Sequence, residues 1–255
     1  MRRYRISLFA WLAVWFCAMV AAADDFRVET KVFGAKDKAP RSQNLTLFHA
    51  GYVYDYLPEP ERVAVFDRAH GRFILLDPVR KLKVEIKTDD VLVFSKRFHA
   101  WAAKNQNAFM QFAADPQFEV KFTEDGDLTL ASPYLTYTLE TVPARSEERA
   151  DQYREFCDWY ARFNAMIHVG STPPFPRLAV NRELATRTLV PTSVSLTIPA
   201  QPTLGVRAVS LRTEHHVSWR LLQRDLDKIS ETANHLAVFE TVTLAEFQGD
   251  DLTKR

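Results

Sequence analysis

The stretch Val63-Ala-Val-Phe-Asp-Arg-Ala-His-Gly-Arg-Phe-Ile-Leu-Leu-Asp-Pro-Val-Arg-Lys-Leu-Lys-Val-Glu-Ile86 decides the fold. Two apolar segments, Val63–Phe66 and Phe73–Leu76, are separated by the polar joint Asp67-Arg68-Ala69-His70-Gly71. A second joint, Asp77-Pro78-Val79-Arg80, leads into Leu82, Val84 and Ile86, which alternate with Lys81, Lys83, Glu85 and Lys87. Period-two alternation places one residue set on each face of a sheet. One dry and one wet face is the habit of antiparallel sheets. Asp followed by Pro suits the first two positions of a type I turn. The stretch therefore predicts a β-meander.

The same pattern extends in both directions. Phe26, Val28, Thr30 and Val32 alternate with Arg27, Glu29 and Lys31, and Leu45–Tyr56 lies between that strand and the meander. Beyond it, Phe94, Phe98, Trp101, Ala102, Asn105, Phe109 and Phe112 recur at spacings of three and four, one face of a helix. Asp89 and Asp90 precede that helix, where acids favour an N-terminus, and Asp115-Pro116 follows it. This aromatic stripe is expected to bury Trp101, either docked on the sheet or lining a ligand cavity. Alternation resumes at Phe118–Phe122, Leu128–Ala131 and Tyr134–Thr141. A second helix is expected from Ser146, with Glu147 and Glu148 in its first turn and an apolar stripe of Tyr153, Phe156, Cys157, Tyr160 and Phe163, which reads as core packing or as an aromatic ligand pocket with a thiol. Thr172-Pro173-Pro174-Phe175-Pro176 reads as a stiff connector into a short helix at Leu178–Arg187. Strands at Val194–Ile198 and from Val206 to about Trp219, a helix from about Leu222 to Leu236, and a tail at Phe239–Phe247 as an edge strand or helical turn complete the chain. The expected class is α+β: a curved antiparallel β-sheet with helices packed on one face.

The first 23 residues carry a different signal. Arg2, Arg3 and Arg5 precede an apolar run from Ile6 to Val20, and Ala21-Ala22-Ala23 meets Asp24-Asp25. That order is a secretory signal peptide with cleavage between Ala23 and Asp24. The run falls short of the roughly 20 apolar residues of a membrane span, so no transmembrane segment is expected after cleavage. Cys17 follows Trp15 and Phe16, not the small residues that bacterial lipoprotein signals place there, and Tyr4-Arg5-Ile6 does not continue a twin-arginine motif. Residues 24–255 are expected to form a single α+β domain, with residues 142–146 as the place where it would subdivide. The expected localisation is extracytoplasmic, periplasmic or secreted.

Cleavage removes three arginines and no acid, which takes the formal charge from +1 to −2 over 232 residues. A near-neutral chain has no electrostatic claim on nucleic acid. A hydrophobic content of 47% with 18 Phe supports a packed core without disulfides, since Cys157 would be the one thiol left.

Chemistry is sparse in the sequence. No dinucleotide or Walker loop, no H-E-x-x-H, no C-x-x-C and no G-x-S-x-G occurs. No cofactor and no metal is assigned. Glu214-His215-His216 is the one dense trio of metal-ligand types, but neighbouring strand residues point to opposite faces. His70 beside Asp67 reads as turn chemistry or as an acid–base pair. His168 with Cys157 makes a nucleophile pair only if the helix between them folds back. Glu59/Glu61 and Asp89/Asp90 are paired carboxylates, and glycosidase chemistry would need such a pair to face across a cleft. Tyr52, Tyr54 and Tyr56 share one strand face, either as packing or as a groove for carbohydrate or lipid. No residue is assigned a catalytic role.

The cadence of Val63–Ile86, a strand ending in a Gly turn, an apolar strand closing on Asp-Pro and a basic-flanked returning strand, is similar to the meander of periplasmic lipoprotein-sorting carriers and related extracytoplasmic half-barrels. The resemblance covers about 24 residues. It implies a curved sheet wrapped around helices and an apolar, lipid-binding cavity. Those carriers begin with an amphipathic helix, whereas here a strand follows the signal directly. The expected function is non-catalytic binding of an apolar small molecule, a lipid or a protein partner in the cell envelope. A secreted hydrolase or a purely structural envelope protein is the alternative.

Overall fold

The computed structural model describes residues 25–168, 171 and 173–252. The predicted cleavage site at Ala23–Asp24 lies outside them. Six strands run as an antiparallel meander: β1 (Phe26–Gly34), β2 (Ser42–His49), β3 (Tyr52–Pro58), β4 (Glu61–Asp67), β5 (Arg72–Asp77) and β6 (Leu82–Lys87). A second antiparallel series holds β7 (Glu119–Phe122), β8 (Asp127–Ala131), β9 (Thr136–Pro143), β10 (Leu189–Ile198) and β11 (Val209–Ser218). β11 pairs with β1 and fuses the two series. A short parallel strand, β12 (Glu240–Thr241), edges β6. The result is one twelve-stranded curved sheet, open between β12 and β7. This is the expected α+β class.

Register fixes which side chains share a face. Phe26, Phe48, Val53, Phe66, Phe73 and Ile86 stand opposite one another across β1 to β6 and form a row on the inner face. One residue along, Arg27, Leu47, Tyr54, Val65 and Ile74 form a row on the outer face. Helix α3 (Glu147–Ile167) lies on the inner row, with Tyr153, Phe156 and Phe163 packed into it. Phe73 and Phe163 stack at 4.4 Å, and Phe26 and Phe48 at 3.9 Å. The Ser146 side chain caps α3 by accepting the Arg149 N–H at 3.2 Å, as an N-cap serine should. Helices α2 (Ala108–Ala114) and α4 (Phe175–Ala185) cover the inner face of β8 to β10 through Phe109, Val180 and Leu184. Helix α1 (Thr88–Ala103) leaves β6 and packs against α2 and α3.

Placement on one face holds for α1 to α4. Helix α5 (Gln223–Val238) adds a layer on the other side, where Ile229 joins Leu47, Tyr54, Val65, Ile74 and Leu76. This explains why Val63–Phe66 and Phe73–Leu76 are apolar in both phases: strands covered on both faces do not alternate. Helix α6 (Leu244–Leu252) closes the tail beside β6. Among the described residues, no helix is long and apolar enough to cross a membrane.

Three local expectations are corrected. Leu45–Tyr56 is not one extended piece but a hairpin, turned at Ala50 (φ 50°) and Gly51 (φ 79°). Two successive positive φ values mark the tight hairpin turn whose twist matches the strands, and alanine in that position gave no sequence signal. The helix expected through Phe112 breaks at residues 104–107. Asn107 starts α2, its side-chain oxygen accepting the Phe109 N–H at 2.9 Å. Finally, Trp101 is 53% exposed. Helix α1 buries Val91, Ser95 and Ala102 instead. The small-residue side gives the closer approach to its neighbours, so Trp101 turns outward while Phe94 and Phe98 stay half-buried. Phe94, Phe98 and Trp101 line a shallow groove with Met110 and Met166.

Candidate functional site

A cleft of about 440 Å³ opens between the inner face of the meander, the C-terminal half of α3 and α6. Strands β3 to β5 supply Leu57, Ala64 and Leu75. Helix α3 supplies Tyr160, Phe163, Asn164 and Ile167, and α6 supplies Phe247. The walls are apolar because these strand positions belong to the inner-face set, and α3 presents every third or fourth residue to it. Polar groups sit mainly at the edge: Arg62, His168 at the end of α3, and Gln248, whose amide donates to the Ile167 carbonyl at 3.0 Å. Size and lining fall in the range of ligand pockets, about 300–1,000 Å³ with apolar walls and few polar groups.

A buried polar group adjoins this cleft. Asp55 is 1% exposed and lies on the inner face between Thr46 and Ala64. Its carboxylate accepts hydrogen bonds from Asn44 Nδ2, from Thr46 Oγ1 at 2.7 Å and from Tyr160 Oη at 2.8 Å. Burial raises the Asp55 pKa and outweighs the three donors that lower it. Asn44 stands opposite Thr30 in the ladder. Thr30 Oγ1 meets His215 Nδ1 at 3.0 Å, and Thr213 Oγ1 meets His215 Nε2 at 2.9 Å. Burial first, then the charge of Arg177, push His215 down to about 3, so its ring is neutral at physiological pH.

The candidates read from the sequence land in separate places. His215 faces inward while His216 is exposed on the outer face, and Glu214 pairs with Arg212. Among the described residues, no group of three metal-ligating side chains forms. His70 Nδ1 meets Asp67 at 2.9 Å, and Arg72 Nε donates to the same carboxylate at 3.0 Å. Burial pushes Asp67 upward, but the His70 and Arg72 hydrogen bonds outweigh it and hold the carboxyl below its usual range. The pair fastens a turn. Glu59, Glu61, Asp89 and Asp90 are all exposed, at the β3–β4 turn and the start of α1. Tyr52, Tyr54 and Tyr56 face outward against α5, where Tyr56 Oη meets Thr232 Oγ1 at 2.9 Å. They line no part of the inner cleft.

Cys157 and His168 are not paired. Ten helical residues lie between them, roughly 16 Å along the axis, and His168 is exposed. Cys157 lies instead beside Tyr153 and Arg177. Burial, partly offset by Arg177, pushes its thiol up to about 11. The thiolate is the reactive form, so modification by iodoacetamide at pH 7.5 is expected to run at least about tenfold slower in the folded protein than in urea. The rate should climb as pH approaches 11. Equal rates in the two states would return Cys157 to consideration as a nucleophile.

Tyr160 and Phe163 of the predicted apolar stripe are walls of the cleft, but Asp55 escaped the sequence reading. One signal was present: in Tyr52-Val-Tyr-Asp-Tyr-Leu57 the aspartate falls in phase with Val53 and Leu57, so a charge occupies a core-facing position.

No protein-family model matches this chain, and no curated protein matches it. The functional reading therefore rests on the geometry above.

Proposed function

We propose that this is an exported cell-envelope protein that binds an apolar ligand, without catalysis, between the curved sheet and α3. The observation that carries this reading is the 440 Å³ cleft whose walls are Leu57, Ala64, Leu75, Phe163 and Ile167. Burying an apolar chain there is worth about 25 cal/mol per Å² of surface removed from water. The leader-like order of residues 1–24 and the half-barrel cadence of Val63–Ile86 support the same reading.

The test uses N-phenyl-1-naphthylamine, a neutral apolar fluorophore. Wild-type protein is expected to bind it with enhanced, blue-shifted emission. Ala64→Leu places three further carbons in the cleft and is expected to weaken binding by at least about tenfold, or 1.4 kcal/mol. Circular dichroism and a cooperative thermal transition check that the variant folds. Ile167→Glu, at the mouth, gives an independent loss. Absence of binding by the wild type, or equal binding by both variants, overturns the proposal.

A further inference from the structure

A second cleft, of about 680 Å³, is bounded by α1, α3, α4 and the residues that follow α2. It shares no lining residue with the apolar cleft. Helix α3 serves both. Its Tyr160 and Phe163 line the apolar cleft, whereas Arg154, Asp158 and Arg162, spaced by four along another face, line this one. Across it, α4 supplies Leu178 and Arg182, again four apart. Phe175, at the start of α4, closes one wall and stands edge-on to the His99 ring at 5.1 Å.

The carboxylates of this cleft are already engaged. Asp158 accepts from Asn181 Nδ2 at 2.8 Å and from Arg154 Nη1 at 3.4 Å. Arg154 also meets Asp151 at 3.6 Å. Asp115 meets His99 Nε2 at 2.9 Å. Two of the arginines are left without a carboxylate. Arg162 Nη1 donates to the Asp158 carbonyl at 3.0 Å, and its guanidinium lies 5.7 Å from the Trp159 ring. Among the described residues, neither Arg162 nor Arg182 forms an ion pair. Burial lowers the Arg162 pKa, Asp158 opposes that shift and the charge of Arg154 adds to it. A bound anion would offset the repulsion among these like charges.

We propose that this cleft binds a phosphate monoester, with the phosphoryl group held by Arg162 and Arg182 and the organic part against Phe175 and Leu178. Each guanidinium offers a planar fork of donors that matches phosphate oxygens. Forks supplied by two different helices suit the tetrahedral oxygens of a phosphoryl dianion, whereas a planar carboxylate is satisfied by one. The inference stands apart from the apolar-ligand function proposed above.

Titration calorimetry with phenyl phosphate, benzoate and phenol at physiological ionic strength tests it. Wild type is expected to bind phenyl phosphate at least about tenfold more tightly than benzoate or phenol. Arg162→Gln and Arg182→Gln should each weaken phenyl phosphate binding at least about tenfold, and Arg182→Lys should keep part of the affinity. Arg224→Gln, which removes an exposed arginine of α5, should keep all of it. Circular dichroism and a cooperative thermal transition check that each variant folds. Arg182 is exposed, so its variant remains a test if Arg162→Gln does not fold. Flotation with phosphatidylcholine vesicles, with and without phosphatidic acid, distinguishes a lipid head from a soluble ester. Flotation that requires phosphatidic acid and is lost in Arg182→Gln supports the site and makes the ester a lipid head. Phenyl phosphate binding without flotation supports the site and makes the ester soluble. Equal binding of benzoate and phenyl phosphate overturns the phosphate assignment. A loss in Arg224→Gln as large as in Arg182→Gln is a response to overall charge and overturns the proposal, as does absence of phenyl phosphate binding by wild type.

Discussion

Asp225→Ala should lower the free energy of unfolding by about 3–5 kcal/mol, the cost of breaking a buried ion pair from one side. Asp225 is 0% exposed and Arg27 4% exposed. Both carboxylate oxygens of Asp225 accept from Arg27 Nη1, at 3.1 and 3.0 Å. One of them also accepts the Leu222 N–H at 2.8 Å, at the start of α5. The aspartate thus does two jobs: it neutralises an arginine on the outer face of β1, and it caps the helix that covers β2 to β5. Removing it leaves Arg27 with Glu29, a partner that is itself half exposed, so the loss should sit toward the lower end of the range. Urea unfolding followed by circular dichroism measures it. The double variant Arg27→Met/Asp225→Leu should lose less than the two single variants added together, since neither charge is then stranded. A midpoint for Asp225→Ala within about 1 kcal/mol of wild type, at unchanged m-value, would show that α5 docks without the pair.

Nothing near Arg27 in the sequence announces this pair. Asp225 lies 198 residues from Arg27, and only the fold shows which arginine it reaches.

The same limit governs the rest of the comparison between sequence and structure. Local signals were legible. The alternation of Phe26–Val32 and Leu82–Ile86, the Asp-Pro joint, and Ser146 ahead of two glutamates all depend on neighbours within a turn or a strand. The outer layer was not legible, because Val63–Phe66 is apolar in both phases and its second cover, α5, comes from the far end of the chain. The orientation of α1 was misread for a related reason. A period of 3.6 shows that Phe94, Phe98 and Trp101 share a face, but burial depends on which face a neighbour can approach. Ser95 and Ala102 offer the flatter one. For the site, Asp55 had a phase signal within its own strand.

Phe73→Ala is the second large effect, with an expected loss of about 3–5 kcal/mol from lost burial and the cavity left behind. Phe73 is 0% exposed. Its ring lies between Phe66 at 4.8 Å and Phe163 at 4.4 Å, so it couples β4, β5 and α3 in one contact. The space cannot collapse easily, because both partners are held by stiff elements. Phe73→Leu, which keeps most of the volume, should lose less than half as much. Trp101→Ala supplies the contrast within the same experiment. Its ring is larger but half exposed, and it stands beside Phe98 at 5.7 Å on the outward side of α1. Its loss should fall well below that of Phe73→Ala, since about half of its surface stays in water on folding. Guanidinium unfolding of the three variants measures the order. If Trp101→Ala loses more than Phe73→Ala, α1 docks by its aromatic stripe after all, and the inner row is not the centre of the core.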